Sequence, residues 1–303
     1  MSDLCASPPK DAFVAFGSTG LWAGFLDDAS ATEAVATAQR LEAAGVRAVW
    51  LQEHSGLDPF VRAALYLAGT ERLGVGLGVA VIHGRDPEGM VAAAATIEEA
   101  FPGRFVLGLG VSHRRLVEAR GHEFTPPIPT MERYLAAMDT AGRKRSLPPR
   151  VLGALGPRML ELAGRCADGA HTYLMPVAHT AAARAALGPD RWLAPTQLVA
   201  VDGDGPWRDT VRTFIGWCVK MPNYARGLAR YGFDADDLAT ITDRLVDAVV
   251  VPNDAGAITA RIEEHRDAGA DHVVVQYIPR PPADAATVTS LVGSSPRIFH
   301  LGD

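Results

Sequence analysis

The chain has 303 residues, 48% of them hydrophobic and 21% charged. That is enough apolar material for one large α/β domain or two small ones, and too much for a disordered protein. A net charge of −6 leaves no basic footprint for nucleic acid, and the longest apolar stretch, Leu73 to Ile82, falls far short of a bilayer crossing.

The opening residues, MSDLCASPPKDAF, carry no charged head followed by a hydrophobic run, so a cytoplasmic protein is expected. Short β-branched runs alternate with Ala-rich helical segments, the pattern of βα units on a parallel sheet. The first predicted strand is Phe13–Phe16. Ser30 and Glu33 then form an S-x-x-E capping box for a helix to Ala44, closed by Gly45. Ala48–Leu51 is the second predicted strand, followed by a helix over Pro59–Ala68. Gly74–Ile82 is the third, and Pro87 starts a helix to Ala100. Phe105–Leu109 is the fourth. The polar, Pro-rich stretch Ser112–Thr130 is longer than an ordinary βα turn.

Helix Met131–Ala141, strand Val151–Leu155, helix Pro157–Cys166 and strands near Gly169–Tyr173 and Leu193–Val201 come next. Trp207–Leu245 reads as helical, with Trp217, Tyr224 and Tyr231 recurring at sevens. Val249–Val251 reads as a packed connector, Asp254–Ala268 as the last helix and His272–Ile278 as the last strand. Eight strands in parallel alternation predict an α/β fold, a single (β/α)8 TIM barrel over residues 13–280. Within it, 112–130 is a long loop and 206–245 a helical insertion. A flexible N-terminus (1–12) and a C-terminal tail (281–303) flank the barrel. Three cysteines (Cys5, Cys166, Cys218) share no metal-like spacing, so neither a metal site nor a disulfide framework is expected.

In such a barrel the chemistry sits at the C-terminal ends of the strands. Gln52-Glu53-His54 follow the second predicted strand. His54 there suits proton transfer or contact with a flat ring; a hydrogen-bonded structural histidine is the alternative. Gly74, Gly76 and Gly78 share one face of the third strand through its two-residue period. They leave room either for a flat ligand or for tight packing inside the barrel. After the fourth strand come Gly108, Gly110, Ser112 and His113, a GxG without the third glycine of a dinucleotide fingerprint. Gly153-Ala154-Leu155-Gly156-Pro157-Arg158 is a glycine turn entering a helix. Its free amides and Arg158 make an anion site, with an ordinary helix start as the alternative. Trp22, in the loop expected after the first strand, Phe124 and Tyr173 are candidates to stack on an apolar organic substrate, plain packing being the alternative.

Together, the Glu-His pair, GLGVAVIHGRDP, FPGRFVLGLGVSH and ALGPRMLELAGRCADGAH resemble the luciferase-like monooxygenase superfamily, over roughly Phe13 to Ile278. VLGLGVSH and ALGPRM are most similar to its branch using the deazaflavin coenzyme F420. The resemblance implies a bacterial-luciferase-like barrel with a bulge and a non-prolyl cis peptide in the third strand, here Gly78–Val79, backing the cofactor ring. It implies that His54 is the active-site histidine and that Gly110, Ser112, His113 and Ala154 border the cofactor. Gly156, Pro157 and Arg158 match its phosphate-binding turn. His113 stands where related sugar-phosphate dehydrogenases place a catalytic glutamate, which argues against their substrate but keeps acid/base chemistry.

The implied activity is that of an F420-dependent oxidoreductase, passing a hydride between the deazaflavin C5 and a small organic molecule, with His54 and His113 catalytic. An FMN-dependent monooxygenase and a non-catalytic cofactor-binding paralogue are the alternatives. Twenty-six arginines against three lysines fit a GC-rich, actinobacterial host. Family members are commonly homodimers, so a homodimer is expected, with neither nucleic acid nor membrane as a partner.

Overall fold

Strands and helices alternate through the computed structural model, which describes residues 10–53, 56–201 and 207–279. A 3-10 helix, Lys10–Phe16, leads into β1 (Thr19–Trp22), α1 (Ala31–Ala43), β2 (Ala48–Leu51), α2 (Pro59–Gly69) and β3 (Gly74–Leu77). The two-residue β4 (Ala80–Val81) carries β3 onward, before α3 (Pro87–Ala100) and β5 (Phe105–Gly110). There follow α4 (Arg114–Ala119), α5 (Pro127–Gly142), β6 (Arg150–Gly153), α6 (Pro157–Cys166), β7 (Gly169–Thr172), α7 (Val177–Leu187) and β8 (Trp192–Ala200). The helices α8 (Trp207–Val219), α9 (Pro222–Ala229), α10 (Ala235–Thr240) and α11 (Asp243–Val249) precede β9 (Val250–Pro252). The described chain ends with α12 (Ala255–Asp267) and β10 (Val273–Ile278).

The eight strands β1, β2, β3, β5, β6, β7, β8 and β10 pair in parallel and close on themselves through β10, which bonds both β8 and β1. This is the expected (β/α)8 barrel. Local signals set many boundaries. Ser30 caps α1 with its hydroxyl on the Glu33 amide at 3.3 Å, and the Glu33 carboxylate returns to the Ser30 amide at 3.1 Å. Gly45 closes that turn at φ +91°, a conformation suited to glycine.

Four expectations are corrected. Phe13–Phe16 is 3-10 helix, not strand: Phe13 and Phe16 are buried while Val14 is 64% exposed, a three-residue period rather than alternation. Trp22 consequently ends β1 as a buried strand residue instead of lying in a loop. The connector at Val249–Val251 is the strand β9, in register with the second half of β8 from Leu198↔Val250. Within the stretch read as a long loop, Arg114–Ala119 forms α4 and α5 begins early, at Pro127.

The barrel interior is aromatic, where branched aliphatics usually dominate. Phe13 stacks on Trp192 with centroids 4.2 Å apart, and Trp192 on Trp50 at 6.0 Å. The glycines of β3 make room for these rings. A Cβ on Gly76 would lie 2.8–2.9 Å from three atoms of the Trp50 indole. For Gly74 and Gly76 this is the packing alternative. His272, fully buried, donates from Nδ1 to the Gly17 carbonyl at 2.9 Å and accepts from the Trp50 indole at 3.1 Å. No helix among the described residues is long and apolar enough to cross a membrane.

Candidate active site

The C-terminal strand ends build the barrel mouth. The Gly78–Val79 peptide bond is cis and separates β3 from β4. Its neighbours fix the backbone: the Gly78 amide donates to the Leu51 carbonyl at 2.7 Å, and the Glu53 amide to that of Val79 at 3.4 Å. Glu53, 6% exposed, accepts from the Val81 amide at 2.7 Å and faces Arg85 at 3.3 Å and Arg120 at 3.4 Å. Its carboxylate is thus a brace across β2, β4 and α4. The Val79 side chain fills the space left by missing side chains on β5 and β6. A Cβ on Gly108 or Gly153 would approach its Cγ1 to 3.2 Å, and one on Gly110 would overlap Cγ2. Gly110 therefore serves Val79 packing, whereas Gly78 and Val79 themselves remain half-buried at the mouth.

An aromatic wall runs across the mouth. His113, at the N-cap of α4, lies 5.4 Å from the Tyr224 ring; Tyr224 is 6.0 Å from Tyr173, and Tyr173 5.5 Å from Trp22. Beneath it His171 is held between Trp22 at 5.8 Å and Trp50 at 4.8 Å. His171 donates from Nδ1 to the Ala194 carbonyl at 2.9 Å, so the lone pair sits on Nε2, which is buried without a partner. That atom is directed at Gly78, where a Cβ would come within 3.0 Å of it. Burial drives the His171 pKa down to about 4, keeping the ring neutral. Burial also lowers His113, and the hydrogen bond to Asn223 opposes the shift.

The sequence-predicted residues divide. Trp22, Tyr173, Gly78 and His113 belong to one connected set. Phe124 does not join it, stacking instead near His83 at 6.4 Å with the Arg114 guanidinium 4.9 Å from its ring. Ser112, two residues past the end of β5, has φ +58°, a left-handed conformation that non-glycine residues adopt rarely and often at functional sites. Ala154 is buried, its amide bonded to the His171 carbonyl at 3.1 Å. His54 lies outside the described residues.

Gly156 is the N-cap of α6, with Pro157 at N1 and no side chain capping the free amides. The Arg230 guanidinium comes within 3.8 Å of where a Gly156 Cβ would be. Neither Arg158 nor Arg230 has a side-chain ion pair or hydrogen bond among the described residues. Uncapped amides, a positive helix end and two unpaired guanidiniums fit an anion.

Sequence reasoning missed Asn223, Tyr224, Arg230, Glu53 and His171. Pro222, inside the stretch read as one helical run, is the local signal for the break that starts α9 and carries Asn223 and Tyr224 to the mouth. The others depend on contacts between distant elements.

Residues 13–188 match the family model of luciferase-like monooxygenases, and the chain belongs to that family. A 153-residue stretch is 27% identical to the 5,10-methylenetetrahydromethanopterin reductase of Methanolobus tindarius, covering 44% of this chain and 47% of that protein. The chain thus spans less than half the length of the first curated relatives it matches. An F420-dependent secondary alcohol dehydrogenase, solved with an F420–acetone adduct, superposes with a TM-score of 0.69 at 16% identity, over 93% of this chain and 99% of that one. The oxygenating constituent of 3,6-diketocamphane monooxygenase from Pseudomonas putida, solved with FMN, gives 0.65 at 14%, over 93% and 99%. At these identities the structural likeness is one of fold.

Proposed function

We propose that the protein is an F420-dependent oxidoreductase that transfers a hydride between the deazaflavin C5 and a small organic substrate. The observation that carries the reading is the anion turn at Gly156, with Arg158 and Arg230 unpaired, on a barrel that also holds a half-buried Gly78–Val79 backbone and an aromatic wall. These residues fit a flat ring bearing a phosphate, and the F420-dependent relatives support that choice of ring.

When bound, F420 supplies hydride chemistry at C5. The chain's own residues do the rest. Gly156, Arg158 and Arg230 would hold the phosphate, and Gly78 and Val79 would offer backbone to the ring. Trp22, Tyr173 and Tyr224 wall off water from an apolar substrate. His113, neutral at physiological pH, accepts or returns the proton that accompanies the hydride. His54, directly after Glu53 in the chain, is a second proton carrier.

The phosphate of FMN suits the same turn, and the FMN-bound neighbour motivates the second reading, an FMN-dependent monooxygenase. Titration with F420 and with FMN, followed by the fluorescence of each, separates the two. Micromolar or tighter F420 binding is expected, with FMN much weaker and Arg230→Ala weakening F420 about tenfold, as loss of one charge-assisted contact should. Tight FMN binding without F420 binding moves the protein to the monooxygenase reading.

A further inference from the structure

We infer that Asn223 is a positioning residue that fixes the proton of His113 on Nδ1 and leaves Nε2 as the proton-accepting atom. The inference rests on the proposed role of His113 and goes beyond it. His113 Nδ1 and Asn223 Oδ1 are 2.9 Å apart. An amide oxygen only accepts, so this bond requires the hydrogen on Nδ1. In a neutral imidazole the lone pair then belongs to Nε2. That atom has no hydrogen-bond partner among the described residues and is not among the buried unpartnered atoms, so it stays accessible.

The two residues come from distant parts of the chain. His113 caps α4 three residues past the end of β5, and Asn223 is the second residue of α9, just behind Pro222 at N1. Tyr224, next in α9, places its ring 5.4 Å from the imidazole and limits its rotation. The helical insertion therefore delivers both the hydrogen-bond partner and the packing surface that hold this histidine.

Asparagine differs here from aspartate in one decisive respect. A carboxylate at the same place would favour the imidazolium and make the histidine a stronger base, charged at neutral pH. The amide orients the ring without supplying charge. Arg114, the next residue along, has its guanidinium engaged with Glu118 at 3.0 Å and over Phe124. The ring is thus held neutral, with one nitrogen committed to Asn223 and the other free for a proton of the reaction.

Long-range 1H–15N correlation spectra of histidine-labelled protein, recorded without cofactor, test this directly. His113→Gln identifies the signal by its disappearance. The wild type should show the Nδ1–H tautomer for His113. Asn223→Ala should populate the Nε2–H tautomer. Asn223→Asp, nearly isosteric, should keep Nδ1–H and raise the His113 pKa by about one unit or more, the usual effect of an adjacent opposite charge. In the holoenzyme with any substrate found, the low-pH limb of turnover should move upward by the same amount in Asn223→Asp. A wild-type His113 in the Nε2–H form, a tautomer unchanged in Asn223→Ala, or a His113 pKa indifferent to Asn223→Asp overturns the inference. Because the spectra need no cofactor, they stand even if F420 fails to bind.

Discussion

Acidification from pH 7.5 to 5 should destabilise this protein, and His272 shows why. Its Nε2 accepts from the Trp50 indole, which can only donate, and its Nδ1 donates to the Gly17 carbonyl, which can only accept. A second ring proton would face the indole N–H. Burial therefore drives the His272 pKa down to about 4 from an ordinary 6.5. Between these values the unfolded chain binds the proton and the folded chain refuses it, so stability is complete above pH 6.5 and falls as pH drops through the window. The drop from 6.5 to about 4 is worth roughly 3 kcal/mol by pH 4. His171 and His265, lowered by burial to about 4 and about 3, act in the same direction. Such losses are large against the ~5–15 kcal/mol that usually holds a domain together. Urea unfolding at pH 7.5, 6 and 5 measures the slope, and His272→Gln, which cannot titrate, should reduce it by roughly 1 kcal/mol per pH unit between pH 6 and 5. A wild-type stability flat between pH 7 and 5, or an equal slope in His272→Gln, refutes the reasoning.

Gly76→Ala should lower stability by about 1–3 kcal/mol, the usual cost of overpacking, because its methyl lands 2.8–2.9 Å from the fully buried Trp50 indole. Thermal unfolding with tryptophan fluorescence reads it, and an unchanged midpoint would show that the barrel interior yields. His54→Ala should leave F420 affinity largely intact and cut turnover about 10²-fold, the ordinary loss for a positioned proton carrier. A wild-type rate in both His54→Ala and His54→Asn would leave His113 as the sole proton carrier.

Much of the fold was legible because its signals are local. The Ser30–Glu33 capping box, Gly45 after α1 and the prolines opening α3 and α6 act within a few residues of themselves, and those boundaries agree closely. The run Phe13–Phe16 was misleading because an apolar tetrapeptide fits a strand or a 3-10 turn equally well; the barrel's need for a plug beneath Trp50 and Trp192 decides it. At β9 a three-residue strand gains its partners only from β8, far earlier in the chain. The candidate site was legible in the same measure. Gly78–Val79, His113 and the Gly156 turn follow from local wording, whereas the His113–Asn223 bond joins positions 110 residues apart. The glycines of β3 and β5 could signal a ligand or a neighbour from sequence alone. Trp50 and Val79 identify the neighbour at Gly76 and Gly110.

The most direct test of the proposed chemistry is an anaerobic one. Protein mixed with reduced F420 is challenged with a panel of small carbonyl compounds, with oxygen rigorously excluded, while deazaflavin absorbance is followed. A hydride-transferring oxidoreductase reoxidises the coenzyme with at least one of them, without oxygen and at a rate that falls in His113→Gln. If no compound reoxidises F420 anaerobically, while reduced FMN with oxygen supports turnover of an organic substrate, the protein is a monooxygenase and the hydride-transfer proposal is wrong.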